Sequence, residues 1–276
     1  MGPIGGGGNC CDKRDQTVTV NRFPATQLSP GKLTVSLRMT GLRHDGYHLI
    51  DAEMVSIDLT DELQFDEGDG LSIVMEGPAT AGLSVEAGPT NLVTKALHFA
   101  GTRAQVTLRK RIPAGAGLGG GSSNAAAVLR WAGRTAPADI VASAALGADI
   151  PFCIVGGRAR VTGIGEIVEA LPFEARTFTL VLPPFGVSTP EVYRAWDQMG
   201  GPYGDHGNDL EPAALVVEPR LAQWRDHLGD ATGSQPRLAG SGSTWFVDGA
   251  FHGDGLVVCH TIASPEPASV DLLQAR

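Results

Sequence analysis

A chain of 276 residues, 42% hydrophobic and 18% charged, can bury a real core as one large domain or two modest ones. Its formal net charge of −9 argues against the basic footprint of a nucleic-acid binder and points to a small-molecule ligand met by local positive groups. No apolar run approaches the roughly 18 to 20 residues that span a bilayer, and the N-terminus lacks a signal peptide's apolar centre, so no membrane partner and a cytoplasmic location are expected.

In chain order, residues 1–16 read as a disordered leader. Cys10, Cys11, Cys153 and Cys259 have neither zinc nor redox spacing, which fits a reducing compartment. Leu33, Val35, Leu37 and Met39 alternate with Lys32, Thr34, Ser36 and Arg38, which predicts a strand with one buried and one polar face, Lys32 and Thr34 sharing the latter. Arg43-His44-Asp45-Gly46 is a turn signal, and Val55, Ile57 and Leu59 resume the alternation as the return of a hairpin. Tyr47 and His48 stand just past that turn. A strand at Leu71 to Met75, a helix from Asn91 to Ala100 with Leu92, Ala96 and Phe99 on one face, and a strand from Gln105 to Ile112 come next.

A short helix is expected from Ser123 to Gly133. A second ends near Gly147, where Gly147-Ala148-Asp149-Ile150-Pro151 stops it and leaves Asp149 at an element end. Arg158 to Thr162 and Phe178 to Leu182 read as strands, and Ser188 and Glu191 have the spacing of a capping box opening a further helix. These elements divide into residues 17–157 and 158–276, without an internal repeat.

The segment from Pro113 to Asn124 separates a strand from the alanine-rich Ala125-Ala126-Ala127-Val128-Leu129 and carries Gly115, Gly117, Gly119, Gly120 and Gly121. Glycines free of Cβ let backbone N–H groups turn inward, and the positive end of the helix beyond them favours an anion, so the segment reads as a phosphate cradle. Gly115-x-Gly117-x-x-Gly120 also matches a dinucleotide fingerprint, but the adjoining stretch is alanine-rich and helical rather than a strand ending in an acid. A Walker A loop would need a lysine after the last glycines. A plain structural turn remains the bland alternative.

Pro113 to Leu129 closely resembles the phosphate loop of the GHMP kinase superfamily. Ser29-Pro30-Gly31-Lys32-Leu33-Thr34-Val35, Arg43 to His48, Gly147 to Phe152, Gly163-Ile164-Gly165-Glu166, Gly186 to Tyr193, Asn208-Asp209-Leu210-Glu211 and Ala239-Gly240-Ser241-Gly242-Ser243 extend the likeness over nearly everything after residue 25. Asp-Gly-Tyr-His is the block most similar to the branch that phosphorylates a cytidine diphosphate conjugate of methylerythritol, in the non-mevalonate route to isoprenoid precursors.

The resemblance implies an α+β fold of two domains: an N-terminal ribosomal protein S5 domain 2-like domain and a ferredoxin-like α/β C-terminal domain, with the active site in the cleft between them. It implies ATP and Mg²⁺, a small-molecule substrate, and a monomer or homodimer. Asp149 matches the catalytic base and Lys32 its partner, a cation placed to stabilise an emerging alkoxide. For ATP it implies Pro113, Ala114, Gly115, Ala116, Gly117, Leu118, Gly119, Gly120, Gly121, Ser122 and Ser123, flanked by Asn91 and Lys95, with the hydroxyl of Ser122 or Ser123 near the metal. Thr34, where the family more often has Asn, Tyr47, His48, Thr189 and Tyr193 match substrate positions, the two tyrosines as an aromatic clamp and His48 at the edge of a cytosine. Without the resemblance, Asp149 is a helix-stop or cap carboxylate, Lys32 a strand lysine, Asn91 a helix cap and Lys95 a solvated helix lysine. The wider alternatives are another GHMP kinase of homoserine or mevalonate type, or a non-catalytic sensor on the same scaffold.

Overall fold

The structure is a computed structural model, described over residues 23–264; the expected leader, with Cys10 and Cys11, lies outside them. Two long strands, β1 (Ala25–Leu42) and β2 (His48–Asp66), form the predicted hairpin, paired antiparallel from Ala25 opposite Phe65 to Leu42 opposite His48. The other edge of β2 is shared by two strands. β4 (Gln105–Lys110) pairs with Glu62 to Asp66 and β5 (Arg158–Gly163) with Ile50 to Val55. β3 (Gly70–Met75) lies parallel to β4, and β6 (Ile167–Leu171) closes the far side.

Helices α1 (Leu92–Ala100), α2 (Gly120–Trp131), α3 (Pro137–Ser143) and α4 (Ile150–Val155) belong to the same half. The second sheet runs β10-β7-β9-β8, built from β7 (Thr177–Val181), β8 (Arg237–Leu238), β9 (Trp245–Asp248) and β10 (Leu256–His260). Its strands are antiparallel, and α5 (Thr189–Gln198), α6 (Glu211–Val217) and α7 (Leu221–Thr232) fill the chain between β7 and β8.

Apolar burial explains how the layers meet. Leu33, Val35, Val55 and Ile57 pack with Phe178, Leu180 and Phe246 of the second sheet, while Ala125 to Leu129 of α2 and Phe152 of α4 join a larger core with Leu63, Phe65 and Leu108. The large sheet is thus covered by helices on one face and by the second sheet on part of the other.

Several expectations change in the folded chain. The single alternation from Leu33 to Met39 is interrupted by an irregularity between Thr34 and Ser36, so Leu33 and Val35 face one core and Leu37 joins the other. An extra residue in a strand shifts the side-chain phase by one and exchanges the faces. β5 and β6, assigned from the sequence to the second unit at residue 158, hydrogen-bond into the first sheet, and the second sheet begins at β7. α2 starts at Gly120 rather than Ser123. Asp149 does not terminate a long helix but immediately precedes α4, which it opens as N-cap. Ser188 is the N-cap of α5 without using its side chain, so the capping box is not made; Glu191 N–H donates to the Ser188 carbonyl instead.

Candidate active site

Between β4 and α2 the backbone crosses β1 at Lys32. Lys32 N–H donates to the carbonyl of Leu118 at 2.9 Å. Gly119, at φ 63°, is the N-cap of α2 and has no side chain to compete for the helix's first N–H groups. A Cβ there would lie 2.6 Å from Lys32 Cγ, so the loop rests directly on the lysine stem. Gly117, at φ 78°, is wedged as tightly against the third glycine segment: its Cβ would stand 2.5 Å from the carbonyl oxygen of Ala239 and 2.6 Å from that of Gly242. Only glycine satisfies both the left-handed backbone and these approaches.

At Lys32 and Thr34 the expected polar face of β1 is therefore not solvated. Lys32 and Thr34 are 5% and 2% exposed, covered by loops from distant parts of the chain. Lys32 Nζ donates to Thr34 Oγ1 at 2.9 Å and stands 3.3 Å from Asp149 Oδ2. Asp149 keeps about a third of its side chain open, at the start of α4. Gly240 closes over the amine, its position such that a Cβ would be 3.5 Å from Lys32 Nζ. Asn208 holds that segment by donating to the carbonyls of Leu238 and Gly240 at 2.8 and 2.7 Å, while Thr189 and Ser241 share a hydroxyl hydrogen bond of 2.7 Å.

Beside the loop lies a cavity of about 320 Å³ whose walls include Asn91, Leu92, Lys110, Ala114, Gly115, Gly121 and Asn124. Asn91 reaches it as a helix cap, accepting from Val93 N–H at 2.9 Å and donating to the Glu86 carbonyl at 2.8 Å. Lys95 is exposed on α1 and is not part of the lining.

The floor of this region is a buried polar network centred on Asp61 and Lys110, neither of which is among the sequence-derived candidates. Asp61 is fully buried and Lys110 almost so, 2.5 Å apart. The Asp61 carboxylate also accepts from the N–H groups of Arg111 and Ile112 and from Asn124 Nδ2. Burial holds the Lys110 amine below its ordinary range, an effect opposed by the adjacent carboxylate. Asn124 in turn donates to Ser29 Oγ, which donates to Ser123 Oγ, which donates to the Pro30 carbonyl. Ser123 is thereby buried and committed to the fold, whereas Ser122 is only partly buried near the helix start. Among the described residues no group of three or more His, Cys, Asp or Glu is placed to hold a metal.

On the other side of Asp149 stand the aromatic residues. His48 packs against Tyr193 with ring centres 5.0 Å apart and meets Trp196 edge-on at 5.6 Å. Tyr47 is exposed beneath the guanidinium of Arg43. Burial pushes the Tyr193 phenol above its ordinary value and the negative Asp149 adds to the shift, which sets Tyr193 and the acid in one electrostatic neighbourhood. Cys153, one turn past Asp149, is a buried thiol pushed up to about 12, chiefly by burial, and so stays protonated at neutral pH.

A helix start stripped of side chains, facing an amine and a carboxylate that share one opening, is the equipment of a kinase acting on a small alcohol. Residues 91–157 match the family model described as the GHMP kinases N terminal domain. The 4-diphosphocytidyl-2-C-methyl-D-erythritol kinase of Paracoccus denitrificans is 36% identical over 239 residues, covering 80% of this chain and 85% of its own. That of Pelotomaculum thermopropionicum is 37% identical over 256 residues, covering 80% and 88%. A crystal structure of 4-(cytidine 5'-diphospho)-2C-methyl-D-erythritol kinase superposes with a TM-score of 0.64 at 28% identity, over 86% of this chain and 98% of that one. Homoserine kinase from Cytophaga hutchinsonii, at 17% identity and a TM-score of 0.55, shares the fold. The chain is a small-molecule kinase that belongs to the GHMP kinases and, within them, to the family of these 4-diphosphocytidyl-2-C-methyl-D-erythritol kinases.

Proposed function

We propose that the protein transfers the γ-phosphoryl group of ATP to a hydroxyl of 4-diphosphocytidyl-2-C-methyl-D-erythritol, with Asp149 as base and Lys32 as its charge partner. The observation that carries the reading is the 3.3 Å approach of Lys32 to Asp149 beneath the glycine loop. The first N–H groups of α2 face the phosphates, and the cavity walled by Asn91 and Gly115 takes the nucleoside. Asp149 accepts the proton of the attacking hydroxyl; the oxygen then bonds to the γ-phosphorus as the bond to the ADP oxygen breaks. Lys32, held by Thr34, faces the charge that develops on the attacking oxygen. Mg²⁺ carried with the triphosphate would supply charge neutralisation on the phosphates, and Ser122, whose hydroxyl is not drawn into the buried network, would be the serine open to it.

Tyr47, His48 and Tyr193 hold the cytosine, with Thr34 and Thr189 nearer the methylerythritol part. A sensor on this scaffold has no use for a buried amine aimed at an acid, which favours the catalytic reading. The test is an ADP-release assay offering the cytidylyl conjugate, homoserine and mevalonate. Turnover confined to the conjugate is expected, and preference for either other alcohol overturns the substrate assignment. Replacing His48 with Ala is expected to raise KM for the conjugate about tenfold or more while KM for ATP stays within about twofold; equal changes in both would remove His48 from the substrate site.

A further inference from the structure

Tyr193, Trp196 and Asp197 fall at positions i, i+3 and i+4 of α5, hence on one face of that helix, and all three meet a single side chain from the other half of the fold. That side chain is His48, the first residue of β2. Its Nε2 lies 2.7 Å from Asp197 Oδ1, and its ring is only 12% exposed. Among the described residues its Nδ1 has no hydrogen-bond partner.

We propose that Asp197 is a positioning residue that sets base specificity by fixing the tautomer of His48. A carboxylate only accepts, so the ring nitrogen facing Asp197 carries the proton. In the neutral imidazole Nδ1 is then a bare acceptor. An acceptor suits the exocyclic amine of cytosine and opposes the carbonyl oxygen that uracil has in its place. The proposal deepens the substrate reading above and rests on it for the base; the tautomer itself does not depend on that reading.

Two measurements test it. In the substrate-free protein at pH 8, ring ¹⁵N shifts of His48 are expected to report a protonated Nε2 and an unprotonated Nδ1; the opposite pattern overturns the proposal. The second measurement compares kcat/KM for the cytidine diphosphate conjugate of methylerythritol and its uridine analogue. Asp197→Asn can present an amide N–H to Nε2 and release the proton to Nδ1, so the preference for cytidine is expected to fall about tenfold with KM for ATP unchanged. Asp197→Glu keeps the carboxylate and is expected to keep the preference. A merely structural Asp197 would weaken both substrates alike, and an unchanged ratio in Asp197→Asn overturns the assignment. Failure of the native enzyme to phosphorylate the cytidine conjugate at all would instead refute the substrate reading, with the ¹⁵N result still deciding the tautomer.

Discussion

Asp149→Asn is expected to lower kcat by about 10² to 10⁴ while leaving ATP affinity nearly intact. The substitution keeps the size of the side chain and its place at the start of α4, but an amide does not take up the substrate proton. Lys32 retains its hydrogen bond to Thr34, and the glycine loop still rests on the lysine stem, so the phosphate cradle keeps its shape. Single-turnover kinetics together with binding of a non-hydrolysable ATP analogue separate the two effects. A variant with near-normal kcat would show that proton removal happens elsewhere; parallel loss of nucleotide binding would show that the carboxylate supports the cradle instead.

Asp61→Ala is expected to destabilise the fold by about 3 to 5 kcal/mol, because it strands a buried ammonium. In a chain of this size that corresponds to a fall in Tm of roughly 10 °C. The carboxylate answers Lys110, two backbone N–H groups and the Asn124 amide, and of these residues Lys110, Ile112 and Asn124 are buried from water. Removing both charges in Asp61→Leu with Lys110→Met is expected to recover part of the loss, since the unpaired cation goes with its partner. Urea unfolding of the single and double variants decides it. A single variant within about 1 kcal/mol of the native protein would mean that the pair is not buried in solution.

The same pair shows how a signal can be present in a sequence and still be passed over. Asp61 stands in the apolar phase of β2, two residues before Leu63 and four before Phe65, and Lys110 continues the buried series Val106, Leu108 of β4. Opposite charges occupying core positions in two strands are a legible sign of an internal ion pair. Seeing that they pair with each other requires knowing that β2 and β4 are neighbours, which no local pattern states. Asn208 was equally visible within its motif, but its role in holding the carbonyls of Leu238 and Gly240 depends on a loop 30 residues away. Of the nucleotide candidates, Asn91 lines the cavity while Lys95 points elsewhere, and Ser123 is consumed by the fold where Ser122 is left open.

What the sequence determined alone is what depends on near neighbours along the chain: the hairpin about Asp45-Gly46, the helix capped by Asn91, and a glycine run whose only economical use is to bring backbone close to something else. Periodicity reports which side of an element is apolar, and glycine reports where a Cβ has no room. Neither says whether a polar face meets water or another part of the chain. Tertiary packing alone decided that Lys32 and Thr34 line a covered site, that β5 and β6 extend the first sheet, and that His48 is gripped from α5. These contacts join residues tens to hundreds of positions apart, and they form because the helical layer and the second sheet bury opposite faces of one hairpin at the same time.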